Sequence, residues 1–296
     1  MSKLRELKRR IKSVNNIGQV THAMEMIAAS RMKKSQDNAS RGKDYAERIR
    51  EMMIRLVHKK AISEYDLLNP ELSKTPGVMV VVFSPQRGLA GGLPTNLTKA
   101  AVNLLEDLQN QGKYTEVVTV GNKVRDKLVR MGYNIVADFP DIPEQPTTAD
   151  IRPVLMLIEN TYQNTEVGKV LVVYPEFVNA MVQQPRIKVL LPIDLSEIIA
   201  FEDIVADKWG VRGTNDFKYE PSQRRILEEL VPRYLETQIY QARLETVASE
   251  YSARMIAMKS ATENANEIGD DLTLDYNKSR QAQITAELAE IVSARI

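Results

Sequence analysis

The sequence predicts an α/β domain combined with two long α-helices, one at each end of the chain, that pair as an antiparallel two-helix coiled coil. Two observations predict this fold class. Both ends carry apolar residues at spacings of three or four residues, and the stretch between them alternates short β-branched runs with helical patterns. The predicted boundaries are 1–60 for the N-terminal helix, 76–192 for the α/β domain, 193–221 for a connector and 222–296 for the C-terminal helix.

The N-terminal stretch from Ser2 to about Val57 contains no proline and has the pattern of one long amphipathic helix. Thr21 and Ala28, which lie in its apolar stripe, are weaker core formers than leucine or isoleucine. They therefore favour close approach of two helices over a maximally stable zipper. The predicted seam of this helix consists of Leu4, Leu7, Ile11, Val14, Ile17, Thr21, Met24 and Ala28.

The C-terminal stretch from Ser222 contains one proline, Pro232, and one glycine, Gly269, so a second long helix is the simplest prediction. Its apolar positions advance 28 residues in eight steps, a mean of 3.5, which is the coiled-coil period. Pro232 is expected to bend this helix or to lie in its first turns. The predicted seam consists of Leu244, Val247, Tyr251, Met255, Met258, Thr262, Ala265, Ile268 and Leu272.

Between the helices, the chain predicts a small Rossmann-like α/β domain. Short β-branched runs at 78–83, 116–120, 134–137 and 169–174 indicate strands of a mostly parallel sheet. Stretches 100–109 and 122–131 have the pattern of crossover helices, and 187–191 indicates a last, antiparallel strand. Within the connector, only a short helix at 196–206 is indicated.

Composition excludes several classes of protein. The chain has no cysteine and only two histidines, His22 and His58, which leaves no disulfide or thiol chemistry and little imidazole chemistry. No apolar run reaches the roughly 18 residues of a transmembrane helix, and the N-terminus lacks the pattern of a signal peptide. We therefore expect a cytoplasmic protein without direct membrane insertion.

A glycine-rich loop follows the first predicted strand, where α/β folds hold phosphate groups. It reads QRGLAGGL from Gln86 to Leu93, but its glycines match neither the dinucleotide-binding nor the P-loop spacing. A tight structural loop is the favoured interpretation. A nucleotide-binding enzyme stays open as an alternative that a ligand at Gly88–Gly92 would support.

Local charge indicates acidic partners, although the net charge is only +1. Residues 3–12 hold six basic side chains against one acidic, and a second basic group follows near residue 31. A solvated helix face and nucleic-acid binding are the alternatives, but the near-neutral total and the absence of interleaved aromatics disfavour nucleic acid. The candidate residues for acidic partner surfaces are Arg9, Arg10, Arg31, Lys33 and Lys34.

Several motifs resemble one known family, and together they span almost the whole chain. Residues 249–258 read SEYSARMIAM, and residues 274–285 read LDYNKSRQAQIT. Near the N-terminus, RIKSV at 10–14 and MEMIAASRM at 24–32 match as well, as does RGLAGGL at 87–93. These motifs are similar to those of the gamma subunits of F-type ATP synthases, although Ala90 stands where many relatives carry cysteine.

The resemblance implies a non-catalytic rotor subunit of a proton-translocating ATP synthase. One copy of the chain would lie inside an alpha3beta3 hexamer and bind the epsilon subunit and the membrane c-ring. It would lie peripherally, at the cytoplasmic face of a bacterial or equivalent energy-transducing membrane. No cofactor or metal is expected in this chain, since ATP, ADP and magnesium would bind the alpha and beta subunits. A coiled-coil scaffold outside any ATPase stays open as an alternative, because the apolar periodicity of the helices does not identify a partner.

The resemblance also implies which side chains contact the alpha/beta ring. Five polar residues match the family's contact positions, and residues 284–296 would form an apolar tip in the ring's bearing. The polar residues are Arg254, Arg280, Gln281, Thr285 and Glu287, and the apolar residues are Ile284, Leu288 and Ile291.

Overall fold

The computed structural model describes residues 2–57, 75–164, 167–193 and 220–294. The chain divides into two compact units, one made of residues 1–30 and 254–296 and the other of residues 31–253. The helices and strands of the described residues are, in chain order, α1 Ser2–Val57, β1 Val78–Phe83, α2 Leu93–Asn110, β2 Thr115–Val120, α3 Asn122–Arg130, β3 Ile135–Phe139, α4 Thr148–Gln163, β4 Lys169–Phe177, β5 Gln183–Leu191 and α5 Gln223–Ser293.

In the first unit, the beginning of α1 and the end of α5 pair in antiparallel orientation. The Thr262 hydroxyl donates a hydrogen bond of 2.8 Å to the Thr21 hydroxyl across the pair. Further along, a Cβ added to Gly269 would lie 3.2 Å from Oδ1 of Asn15. The residue that faces α5 has a lower number on α1 as the position on α5 moves to a higher number. The predicted antiparallel pairing is therefore confirmed.

Two glycines occupy seam positions of this pair. The neighbouring isoleucines, which were predicted at these positions, lie outside the seam. Gly18 and Gly269 are buried, whereas Ile17 and Ile268 are 53% and 50% exposed. The prediction is wrong at these two positions because the seam alternates strictly between steps of three and four residues. On α1 this alternation passes through 14, 18 and 21, and on α5 through 265, 269 and 272. The two isoleucines are therefore left on the outer surface.

The second unit contains a five-stranded sheet in the order β3-β2-β1-β4-β5. β1 pairs in parallel with both β2 and β4, β2 pairs in parallel with β3, and β5 is antiparallel to β4. All six residues of the central strand β1 are buried, which explains its uninterrupted apolar run. The mostly parallel sheet with an antiparallel last strand is confirmed.

Two apolar cores cover the two faces of this sheet. The even-numbered residues of β1 pack with α2 and α3 on one face. The odd-numbered residues pack on the other face with α4, with residues 49–56 of α1 and with residues 227–242 of α5. Because successive side chains of a strand point to opposite faces, β1 serves both cores at once.

Helix α4 lies between β3 and β4, where the sequence indicated a helical pattern without predicting the bounds of a helix. Pro153 lies inside it and weakens the helical pattern. The helix begins with a capping box, in which the Thr147 backbone N–H donates a 2.7 Å hydrogen bond to the Asp150 carboxylate. The hydrogen bonds from Thr147, the side-chain bond first, lower the pKa of Asp150. Helix α2 also begins earlier than predicted, at Leu93.

Some predictions fall on residues that the structure does not describe. His58 and all but the ends of the predicted connector at 193–221, including its short helix at 196–206, lie outside the described ranges. Pro232 lies inside α5. No helix in the described ranges is both long enough and apolar enough to cross a membrane.

Gly121 lets the ends of β1 and β2 approach closely. Its φ is +102°, and an added Cβ would lie 2.3 Å from the carbonyl oxygen of Ser84. Ser84 follows β1, and its hydroxyl accepts a 2.8 Å hydrogen bond from the N–H of Val124 in the first turn of α3. Only glycine fits this contact, because any side chain would meet backbone rather than a flexible side chain.

We predict that Gly121→Ala lowers the free energy of unfolding by about 2 kcal/mol or more, since it combines a positive φ with a backbone clash. Gly132→Ala is the matched control, because Gly132 has a φ of +87° but no atom within 4 Å of an added Cβ. Urea unfolding followed by circular dichroism measures both variants. Equal shifts of the two midpoints would show that the approach to Ser84 is unimportant.

Candidate partner-binding interface

The end of α5 extends beyond the beginning of α1 in the first unit. Gly269 faces Asn15, Ser2 lies thirteen residues before Asn15, and Ala282 lies thirteen residues after Gly269. These equal distances place Ala282 opposite the start of α1, because both helices rise equally per residue. Residues 284–290 and 292–294 are all exposed. Among the residues that the structure describes, the last turns of α5 therefore have no partner helix.

The four polar residues near this end, Arg280, Gln281, Thr285 and Glu287, are all exposed. The Thr285 hydroxyl donates a 3.0 Å hydrogen bond to the backbone carbonyl of Gln281, one turn earlier. The Glu287 carboxylate accepts a 2.8 Å hydrogen bond from the Gln283 side chain. The structure thus places the polar residues on about two turns of α5, with the Arg280 side chain exposed.

Apolar side chains continue this surface toward the C-terminus. Ile284, Leu288 and Val292 are 43%, 58% and 63% exposed. Val292 was not predicted individually, although it lies four residues after Leu288 on the same face. The backbone of Ile291 belongs to α5, but its side chain and Ile296 lie outside the described part of the chain. Exposed apolar residues clustered in this way mark a surface for a partner.

The outer surface of the paired helices carries more exposed apolar side chains. None of them was predicted as a partner contact, and two, Ile17 and Ile268, were predicted as seam residues. Their relative exposure is at least half in every case. They are Ile17, Val20, Met26 and Ile27 on α1, with Ile268 and Leu274 on α5.

Arg254 differs from the other predicted contact residues because this chain covers it. Only 6% of its surface is exposed, compared with the exposed Arg280 on the same helix. Arg254 also interacts within the chain. Direct contact of its guanidinium with a partner stays a prediction.

The basic residues of α1 that were predicted as partner contacts differ in their interactions within the chain. Arg9, Lys33 and Lys34 are exposed. Arg10 forms a 2.6 Å ion pair with Glu6, one turn earlier, but both side chains are about half exposed, so this pair contributes little stability. The described residues contain no group of three or more side chains suited to a metal ion.

Arg31 binds Glu144 and Tyr251, which belong to the same second unit. Its Nη1 donates a 2.9 Å hydrogen bond to the Tyr251 hydroxyl and bonds of 3.1 and 3.2 Å to the two Glu144 oxygens. The guanidinium also lies 5.7 Å from the centre of the Tyr251 ring, within the range of a cation–π contact. Because Glu144 already neutralises Arg31, this arginine is a poorer contact for an acidic partner than its neighbours Lys33 and Lys34.

The Tyr251 hydroxyl completes this cluster by donating a short hydrogen bond to Glu144. Burial first, and then the bond to Glu144, raise the pKa of Tyr251 above its ordinary value of 10.0, while Arg31 opposes this shift. The cluster thus joins α1, the loop before α4 and α5 within the second unit. Tyr251 was predicted only as a seam residue, without this polar contact.

Two further residues of α5 bind backbone groups of the sheet's loops. Arg243 is fully buried and donates hydrogen bonds to the carbonyls of Ile142, at 2.7 Å, and Pro143, at 3.2 Å. Burial lowers the pKa of Arg243, which nearby Glu250 partly offsets. Glu250 accepts hydrogen bonds from the backbone of the glycine-rich loop. The beginning of this loop is therefore bound to α5.

We predict that Tyr251→Phe lowers the free energy of unfolding by about 1 kcal/mol, because it removes the hydroxyl and keeps the ring beside Arg31. The raised pKa means that the hydroxyl stabilises the folded chain fully below pH 10 and that this contribution disappears as pH rises through the raised value. The difference between the urea midpoints of the two proteins, measured from pH 8 to 11, should therefore begin to shrink above pH 10. Tyr114→Phe is the control, since Tyr114 is 61% exposed. A constant difference between the midpoints over this range would contradict the assignment.

Sequence comparison with known proteins shows which family this chain resembles over nearly its whole length. A family model described as ATP synthase matches residues 3–295. The ATP synthase gamma chain of Roseiflexus sp. is 42% identical over 99% of this chain and 97% of its own length, and that of Herpetosiphon aurantiacus is 38% identical over 99% and 98%.

Solved structures support the same fold. The rotor of the Euglena gracilis mitochondrial ATP synthase contains a chain with a TM-score of 0.65 and 17% identity, over 96% of this chain and 99% of that one. A chain of the Tetrahymena thermophila central stalk and c-ring gives a TM-score of 0.59 at 20% identity, over 82% and 99%. The sequence matches establish the family, and the chain belongs to the ATP synthase gamma chains.

Proposed function

We propose that this gamma chain, as the central-stalk subunit of an ATP synthase, couples rotation of a membrane c-ring to successive conformational changes at the catalytic sites of beta subunits. The proposal rests on family membership over nearly the full chain. The observation that carries it is the projecting end of α5, where exposed polar residues lie beside exposed apolar ones. Such a surface suits contacts that form and break as a shaft turns.

The coupling follows from contacts that differ around the shaft. Arg280, Gln281, Thr285 and Glu287 lie on a limited part of the α5 surface, so each beta subunit of a surrounding ring meets them at a different rotor angle. A ligand or contact shifts a conformational equilibrium only by its difference in affinity for the states involved. One asymmetric helix end therefore biases three otherwise equivalent sites in succession.

The proposed partners are an alpha3beta3 hexamer, the epsilon subunit and the c-ring, with one gamma chain in each complex. The ring contacts are assigned to the end of α5 and to the exposed basic residues Arg9, Lys33 and Lys34 of α1. The complex would translocate protons and hold this chain peripherally at the cytoplasmic face of the membrane. No direct insertion of this chain is required, since the c-ring supplies the membrane contact.

The chain itself is proposed to be non-catalytic, with ATP, ADP and magnesium bound by the alpha and beta subunits. Support comes from the glycine-rich loop, which has neither nucleotide-binding spacing nor free amides at Gln86 and Arg87. Nucleotide chemistry therefore has no evident place at this loop.

We predict that the purified chain does not hydrolyse ATP and that adding it to purified alpha and beta subunits raises their multisite hydrolysis. A coupled ATPase assay, with and without this chain, measures both effects. Turnover by the chain alone would contradict the non-catalytic assignment. Failure to associate with alpha and beta would instead favour a scaffold outside the ATP synthase.

We also predict that Arg280→Ala lowers ATP synthesis and multisite hydrolysis more than about tenfold while the complex still assembles. A hydrogen bond to a charged group at an interface is worth about 1.5–3 kcal/mol, and 1.4 kcal/mol corresponds to a factor of ten. Assembly is measured by gel filtration and turnover by both assays on the same preparation.

Lys278→Ala is the matched control for this experiment. It removes a positive charge two residues away, and positions two apart on a helix point in nearly opposite directions. Lys278 is exposed, as Arg280 is. Full assembly with unchanged rates in the Arg280 variant, or equal losses in both variants, would show that Arg280 has no specific part in coupling.

A further inference from the structure

The glycine-rich loop lies at the point where the sheet changes the direction of its connections. From β1 the chain continues to β2 and β3 on one side, and it then returns to β4 on the other side of β1. In open α/β sheets, ligands bind at the carboxyl ends of the strands at such a switch point. The loop at 84–92 follows the carboxyl end of β1 and therefore stands where an anion would be held.

Two successive backbone amides of this loop bind one carboxylate of the same chain. The Gln86 N–H donates a 2.9 Å hydrogen bond to Oε2 of Glu250, and the Arg87 N–H donates a 3.2 Å bond to Oε1. Each amide thus engages a different oxygen. Glu250 is only 5% exposed, and 163 residues or more separate it from the loop along the chain.

Other bonds fix the loop around this carboxylate. The Gln86 side chain donates a short bond to the carbonyl of Pro140 and accepts one of 3.2 Å from Asn122. Leu89, in contrast, is 60% exposed and has a φ of +61°, which is uncommon for a residue with a side chain. The loop is thus held at its beginning and adopts a left-handed backbone at its tip.

We infer that Glu250 is a built-in ligand of a latent oxyanion site formed by the backbone amides of Gln86 and Arg87. Its carboxylate occupies the place of a phosphate-sized oxyanion and binds the loop to α5. A carboxylate and a phosphate both offer two negative oxygens to a pair of N–H groups. The two ligands therefore exclude one another, and the native chain binds no phosphate at this loop while Glu250 is present.

The inference is independent of the rotor proposal, because it concerns contacts within this chain alone. It predicts that Glu250→Ala both frees the loop and vacates the site. In the full-length chain, hydrogen exchange of the peptide covering Gln86 and Arg87 should become about tenfold faster or more, since bonds to charged groups contribute at least this factor. Millimolar inorganic phosphate, compared with chloride at equal ionic strength, should then slow the exchange again.

Two further variants make the test specific. Glu250→Gln fills the same volume but replaces one acceptor oxygen by a donor, so its loop should exchange faster without any response to phosphate. Glu263→Ala removes an exposed carboxylate from the same helix and should leave both exchange and phosphate response as in the native chain. Mass spectrometry of the exchanged peptides measures all four proteins.

The outcomes distinguish a loop that can bind an oxyanion in place of Glu250 from a loop that only binds the Glu250 carboxylate. A phosphate response in Glu250→Ala that the other three proteins lack supports the inference. No response in that variant, or an equal response in the native chain, overturns it. Should Glu250→Ala fail to fold, Glu250→Gln still decides the role of the carboxylate, because native exchange rates in that variant would refute the assigned hydrogen bonds.

Discussion

The close approach of α1 and α5 in the first unit determines which of their side chains lie in the seam and which lie on the outer surface. A strict alternation of steps of three and four residues brings Gly18 and Gly269 into the seam, together with the bonded pair Thr21 and Thr262. Small and polar side chains bury little apolar area, so this seam gains less from hydrophobic burial than one of leucine and isoleucine would. Isoleucines that a stronger seam would bury are consequently available on the outer surface.

In the second unit, α5 combines an apolar face with polar side chains that bind loops of the α/β layers. Burying Arg243 would be costly without partners, and two backbone carbonyls supply them. Glu250 binds the glycine-rich loop, and Tyr251 binds Glu144 in the loop before α4, the same loop that Arg243 contacts. These directional bonds fix the helix against sliding along the sheet, which non-directional apolar packing alone does less well.

The sequence contained most of the fold because its main signals are local. Periodicity located both long helices, and β-branched runs located β1, β2, β3 and β4, since each pattern repeats within a few residues. The seam residues Ile17 and Ile268 were predicted wrongly because hydrophobicity was given more weight than the alternation that selects glycine. The contacts of Arg243, Glu250 and Tyr251 join residues about 100 or more apart, and such pairs leave no periodic trace in one sequence. For the interface, family motifs named exposed residues such as Arg280 but also the covered Arg254.

A weak seam is physically sufficient here because the two helices belong to one chain. Residues 49–56 of α1 and 227–242 of α5 contribute to the same core of the second unit, so these segments of the two helices are held together without any seam contact. The pairing of their other segments is then intramolecular, with a high effective concentration. It needs little apolar burial of its own. A seam of this kind can therefore contain glycine and threonine, which permit close approach, and it leaves apolar side chains such as Ile17 and Ile268 exposed on the outer surface.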